Sequence, residues 1–172
     1  MLGQSNMKTT LITLAAVALL FVGLFSFGKG DQTAVLPSDA QVNSDNLLSA
    51  TETRYDFGTI AMKDGVVKKT FTVSNTSNQD VRVDSVVTSC MCTNAYIING
   101  ENKRGPFGMP GHGNSVPKAN EILKVGEERV IEVVFDPAAH GPAGVGVIER
   151  YVYLVDENGG ALQLEIRAEV IL

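Results

Sequence analysis

The spacing of hydrophobic and polar positions changes twice along the chain, and each change marks a boundary. Residues 9–27 (TTLITLAAVALLFVGLFSF) run for 19 positions without a charge. At ~1.5 Å rise per residue, a helix of that length spans roughly 28 Å, the thickness of a bilayer's hydrocarbon core. Residues 28–50 lose any sustained period and fill with Ser, Asp, Asn and Gln, the composition of a flexible tether. From residue 51 to the end, short alternating runs separated by turn signals take over, and no helical period is sustained.

Those runs predict strands. Residues 54–60 form a first short one. Residues 66–74 place Val67, Phe71 and Val73 on one face, and Asn75-Thr76-Ser77-Asn78 turns the chain. Residues 81–87 put Val81, Val83 and Val87 in phase, and residues 96–98 add another short strand. Residues 129–136 align Ile131, Val133 and Phe135. Residues 147–155 lead through Asp156-Glu157-Asn158-Gly159-Gly160, a hairpin-like turn, into the clearest strand of the chain. There Leu162, Leu164, Ile166, Ala168 and Val170 alternate with Gln163, Glu165, Arg167 and Glu169, as in an antiparallel sheet with one solvated face. About seven short strands in ~120 residues is the size of an all-β, Ig-like antiparallel β-sandwich. One connection is long: residues 99–122, in which residues 105–117 hold seven Gly or Pro in thirteen positions.

The ends of the apolar segment decide how it is read. Phe25-Ser26-Phe27-Gly28 is a poor match to a signal-peptide cleavage site, and the run is long for a signal sequence. A retained transmembrane anchor is therefore preferred over a cleaved signal peptide. Lys8 on its N-terminal side places residues 1–8 in the cytoplasm. The expected organisation is a single-pass protein of the cytoplasmic membrane: residues 9–27 as anchor, 28–50 as linker and 51–172 as an extracytoplasmic domain.

Charge narrows the partners. With Lys8 set aside, the 14 basic residues become 13 against 19 acidic ones. That balance excludes nucleic acid and anionic membrane surfaces as partners of the domain, since both reward basic patches. Catalytic patterns are also missing: there is no HExxH, no phosphate-cradling glycine loop opening a helix and no serine-nucleophile motif, so no enzyme is expected.

What chemistry remains is concentrated. The cysteines and histidines fall in three places: Cys90-Met91-Cys92, His112 just after Met109, and His140. In an extended strand, residues two apart point the same way, and a disulfide between them would close a small, strained ring. The spacing therefore argues against a structural bridge and for two thiolates sharing a soft metal. Continuing the odd-numbered core phase of Val81, Val83 and Val87 turns Cys90 and Cys92 away from the core, unless a bulge reverses it. Cys90, Cys92, His112 and His140 would make a Cys₂His₂ set suited to zinc, whereas a thioether from Met109 would favour Cu(I).

The blocks Tyr55-Asp56-Phe57-Gly58-Thr59-Ile60, Phe71-Thr72-Val73-Ser74-Asn75, Ser89-Cys90-Met91-Cys92-Thr93 and Val133-Val134-Phe135-Asp136 resemble a bacterial family. It is the set of exported Ig-like domains of unassigned function grouped with the ASPM–Hydin-like β-sandwiches. The resemblance covers roughly residues 51–172 and implies an Ig-like sandwich, export and no established enzymatic activity. Two features depart from the family pattern: Met91 stands where Gly is usual, and the loop with Met109 and His112 is longer. Both add soft ligands.

The expected function is a membrane-tethered domain that binds copper(I), with zinc as second choice, through Cys90, Cys92, His112, His140 and Met109. The alternatives are a non-catalytic structural or protein-interaction module of the cell envelope, with the Gly/Pro loop as its partner surface, and thiol redox chemistry at the Cys pair.

Overall fold

The computed structural model describes residues 46–111 and 118–172. The anchor segment, most of the tether and His112 lie outside the described residues. Among the described residues no helix is long and apolar enough to cross a membrane.

Among the described residues ten strands form: β1 (Leu48–Ala50), β2 (Arg54–Ala61), β3 (Val67–Asn75), β4 (Val81–Thr88), β5 (Thr93–Asn99), β6 (Asn102–Phe107), β7 (Lys118–Leu123), β8 (Glu128–Phe135), β9 (Gly146–Asp156) and β10 (Ala161–Ile171). They make two five-stranded sheets, ordered β1-β3-β8-β5-β6 and β2-β10-β9-β4-β7. The strands named from alternation are all present. Three more join them: β1 pairs with β3, and β6 and β7 lie within the connection expected to be a loop. β7 hid because its inward positions are Ala119, Glu121 and Leu123, so a carboxylate interrupts the apolar alternation. β6 hid because Gly105 and Pro106 sit inside it. The expectation of purely antiparallel pairing is also corrected, since β2 runs parallel to β10.

The sheets close on one core. Phe71, Val73, Ile97, Ile131, Val133 and Phe135 from the first meet Val83, Val86, Val152, Leu154, Leu164 and Ile166 from the second. Burying such side chains stabilises by roughly 1.5–3 kcal/mol each before the entropy of ordering is set against it. Val87, Tyr153, Val155 and Ala161 form a smaller buried cluster through the opposite phase of β4 and β9.

Carboxylates are not all solvated. Glu121 on β7 turns inward and meets Arg129 of β8 and Arg104 of β6, each at 2.6 Å, so an ion cluster bridges the two sheets. Glu165, only 6% exposed, pairs with Arg54 at 2.9 Å.

The feature that shapes the candidate site is a bulge in β4. Val83 faces Asp156 of β9, yet Ser85 faces Val155, so Asp84 is an extra residue in the ladder. An extra residue flips every side chain after it to the other face. Val86 and Thr88 therefore point inward where the regular phase would have sent Val87.

Candidate functional site

β4 ends at Thr88, and the chain turns through residues 89–92 into β5. The Thr93 amide donates to the Cys90 carbonyl at 3.1 Å, which closes the turn. The Thr88 hydroxyl lies 3.0 Å from the carbonyls of Cys90 and Thr93 and serves them from inside. The turn is also tied to its neighbours. Ser89 exchanges hydrogen bonds with Tyr151 of β9, its amide to the Tyr151 carbonyl and its hydroxyl from the Tyr151 amide, both at 2.9 Å. The Asp136 amide donates to the Cys92 carbonyl at 2.9 Å and anchors the end of β8 there.

This turn overturns two expectations about the cysteines. Cys90 and Cys92 are joined as a disulfide, with Cα atoms 5.3 Å apart. Two residues in an extended strand would separate their Cα atoms by ~6.6–7 Å; folding the segment into a turn brings them within the disulfide range. The strand geometry assumed from sequence does not apply at residues 90–92. Nor do the cysteines both face outward. Cys92 is 2% exposed and belongs to the core cluster, Cys90 is half-buried at its edge, and Met91 between them is exposed. The turn that leaves β4 at buried Thr88 is what delivers Cys92 to the core.

His140 comes from the connection between β8 and β9. Asp136 caps the start of that connection, accepting from the Ala138 amide at 2.9 Å, as its Asp-Pro sequence suggests. A 3-10 turn, Gly141–Gly144, follows immediately, and Gly141 enters it at φ 55°, where a side chain would be strained. The exposed His140 is held between these turns with its Nε2 3.2 Å from Cys90 Sγ. The ligand atoms of Cys90, Cys92 and His140 all lie within 4.8 Å of one another. Three of the five residues singled out from sequence thus converge. Met109 lies half-buried just beyond β6, next to Gly108, whose carbonyl accepts from the Thr88 amide at 3.2 Å. His112 is outside the described residues.

Sequence reasoning missed Arg150. It lies on β9 in the same phase as Ile148, Val152 and Leu154, so its side chain is directed between the sheets. Its Nε donates to Cys92 Sγ at 3.3 Å and its Nη1 to the Glu149 carbonyl at 2.8 Å. The other five arginines each have a carboxylate partner, whereas Arg150 has none within ion-pair distance among the described residues. Burial pushes its pKa down from the usual arginine value, yet a guanidinium keeps its proton throughout the physiological range. Its inward direction was readable, because Arg150 is the one cation in the apolar phase of β9.

The site therefore has two unlike sulfurs. Cys90 Sγ is reachable and sits beside an imidazole. Cys92 Sγ is buried and sits beside a guanidinium.

Residues 48–105 match the family described as protein of unknown function (DUF1573). The matched stretch contains Cys90, Met91 and Cys92 and stops short of His140 and Arg150. No curated protein matches the chain. Among solved structures, it resembles a protein of unknown function from Porphyromonas gingivalis W83, with a TM-score of 0.52 and 14% identity over 78% of this chain and 50% of that one. That likeness concerns the fold, and the chain spans half the length of the Porphyromonas protein. Also similar are the secreted serine protease VesC from Vibrio cholerae, with a TM-score of 0.45 and 16% identity over 72% of this chain and 23% of that one, and the VesB protease from Vibrio cholerae, with a TM-score of 0.44 and 17% identity over 74% and 32%.

Proposed function

We propose that this chain is a membrane-tethered, extracytoplasmic Ig-like domain whose working part is the Cys90–Cys92 pair, cycled between disulfide and dithiol. The observation that carries this reading is the asymmetric setting of the bonded sulfurs, one half-exposed against His140 and the other buried against Arg150. A bridge kept only for stability gains nothing from a guanidinium directed at one sulfur. A bridge that opens gains a partner for the negative charge that appears there. Reduction takes two electrons, supplied by an external dithiol or by two monothiols reacting as thiolates, and two protons, taken from solvent. Export is consistent with such a role, since disulfides persist outside the cytoplasm.

The test is a redox titration of the full chain in detergent, equilibrated in thiol–disulfide buffers of graded potential and then alkylated. Mass spectrometry should show a single reversible transition in which both cysteines gain the alkyl label together. A pair that stays closed in the strongest reducing buffer while the protein is folded, or that cannot re-form after reduction, defeats this reading.

A second reading is favoured by the 4.8 Å convergence of Cys90, Cys92 and His140. Once reduced, two thiolates and an imidazole form a soft ligand set that suits Cu(I) first and Zn(II) second. Reduced protein titrated with Cu(I) against a competing chelator should take up one ion per chain, and the Cys90→Ser/Cys92→Ser variant should take up none. Equal uptake by the two proteins would remove the metal from the account.

A further inference from the structure

We infer that exchange enters and leaves through Cys90 alone, and that Arg150 is a positioning residue that holds Cys92 as the departing thiolate. The inference rests on the thiol–disulfide reading above and assigns a direction to it.

Access sets the direction. An incoming thiolate must approach a sulfur along the extension of the S–S bond, and Cys92, at 2% exposure, leaves no room for one. Cys90 is half-buried at the rim, and the exposed Met91 beside it marks the open side. The incoming thiolate therefore bonds to Cys90 Sγ, the Cys90–Cys92 bond breaks, and the electron pair departs with Cys92 Sγ. That sulfur is the one 3.3 Å from Arg150 Nε, whose N–H already points at it. A second thiolate then attacks the incoming sulfur of the mixed disulfide, leaving the two external thiols joined and releasing Cys90 as a thiolate beside His140 Nε2. Two external thiolates lose two electrons, the two cysteines gain them, and each cysteine takes a proton from solvent.

Departing-group stabilisation raises the rate of exchange, because a better-stabilised thiolate leaves faster. Arg150 supplies it without a competing carboxylate among the described residues. Its place on β9, locked by the hydrogen bond to the Glu149 carbonyl at 2.8 Å and by the Ser89–Tyr151 pairing alongside, fixes the guanidinium before any reductant arrives.

Two measurements on the full chain in detergent test this. In the first, the reduced single-cysteine proteins react with Ellman's reagent. Cys92→Ser, which keeps Cys90, should react about tenfold or more faster than Cys90→Ser, which keeps the buried sulfur. Equal rates, or the reverse order, overturn the direction. In the second, the oxidised protein is reduced with dithiothreitol. Arg150→Met should slow reduction about tenfold, the worth of one hydrogen bond to a charged group, and Arg150→Lys should recover much of the rate. Unchanged reduction in Arg150→Met overturns the role of Arg150. So does a slowing that Arg150→Lys fails to relieve, because that outcome marks a packing defect. These failures differ from failure of the redox reading, in which the unmodified protein itself would not cycle.

Discussion

Replacing Asn75 by alanine is expected to cost the fold about 2–4 kcal/mol. Asn75 ends β3 with no solvent exposure and hydrogen-bonds in every direction. Its Nδ2 donates to the Gln79 carbonyl at 2.8 Å and to the Leu123 carbonyl at 2.9 Å, while its Oδ1 accepts from the Ser77 amide at 3.0 Å and the Ser77 hydroxyl at 2.7 Å. Leu123 belongs to β7 in the other sheet, so this one side chain joins the two sheets at the end opposite the cysteines. Alanine strips a donor from a buried carbonyl and leaves it unsatisfied, at a cost of roughly 1–3 kcal/mol, and the lost turn bonds to Ser77 and Gln79 add to it. Urea unfolding checks the value: at a slope of roughly 2 kcal/mol/M, the midpoint should fall by about 1–2 M. Asn75→Asp should be no better, because it keeps the acceptor side but turns a carboxylate oxygen toward two carbonyls. A variant with an unchanged midpoint would mean that the sheets are joined without Asn75.

Asn75 also shows which parts of this fold could be read in advance. The sequence Asn75-Thr76-Ser77-Asn78 announces a turn, and the turn is there, but nothing in it tells that Asn75 Nδ2 reaches a strand 48 residues further on. Local periodicity reports which face of a strand is apolar and is silent about what crosses between sheets. The apolar phase of β10 was legible because it is regular and unbroken, and those of β3 and β8 because Phe71 with Val73, and Ile131 with Val133 and Phe135, keep the alternation. β7 was not, because inward-facing Glu121 is satisfied by Arg129 and Arg104 from two other strands, a pairing no local pattern can display.

The site was legible in its parts and not in its geometry. Cys90, Cys92 and His140 stand out by residue type, and three of the candidates meet. Their chemistry turned on two local departures: the extra residue Asp84, which rotates the end of β4, and the turn at residues 89–92, which places Cys92 in the core. Val86, apolar at an even position, was the visible sign of that rotation. The bond between the cysteines follows from the same region being a turn, and strand geometry had argued against it. Arg150 was passed over because a charge inside an apolar run reads as an outward residue. Its even number, shared with Ile148, Val152 and Leu154, placed it inward.

His140→Ala is the substitution that separates the two uses of this site, and its effects should be unequal. His140 is exposed and flanked by turns that do not depend on its side chain, so the variant should fold with a loss within about 0.5 kcal/mol. In the metal reading, His140 Nε2 is the third ligand beside Cys90 Sγ, and losing it should lower Cu(I) affinity of the reduced protein about 100-fold, about 2.8 kcal/mol. Even outer-shell partners of metal ligands are worth roughly 10–100-fold, so a direct ligand should not be worth less. In the thiol–disulfide reading, both sulfurs and Arg150 remain, and the cycle between disulfide and dithiol should still run to completion in each direction. Competition for Cu(I) and the redox titration, performed on the same variant, give the two answers separately. Undiminished Cu(I) affinity would mean that the imidazole serves the cysteines and not an ion. A pair that no longer cycles would mean the contact at 3.2 Å is part of the exchange itself, and that His140 belongs with Cys90 as Arg150 belongs with Cys92.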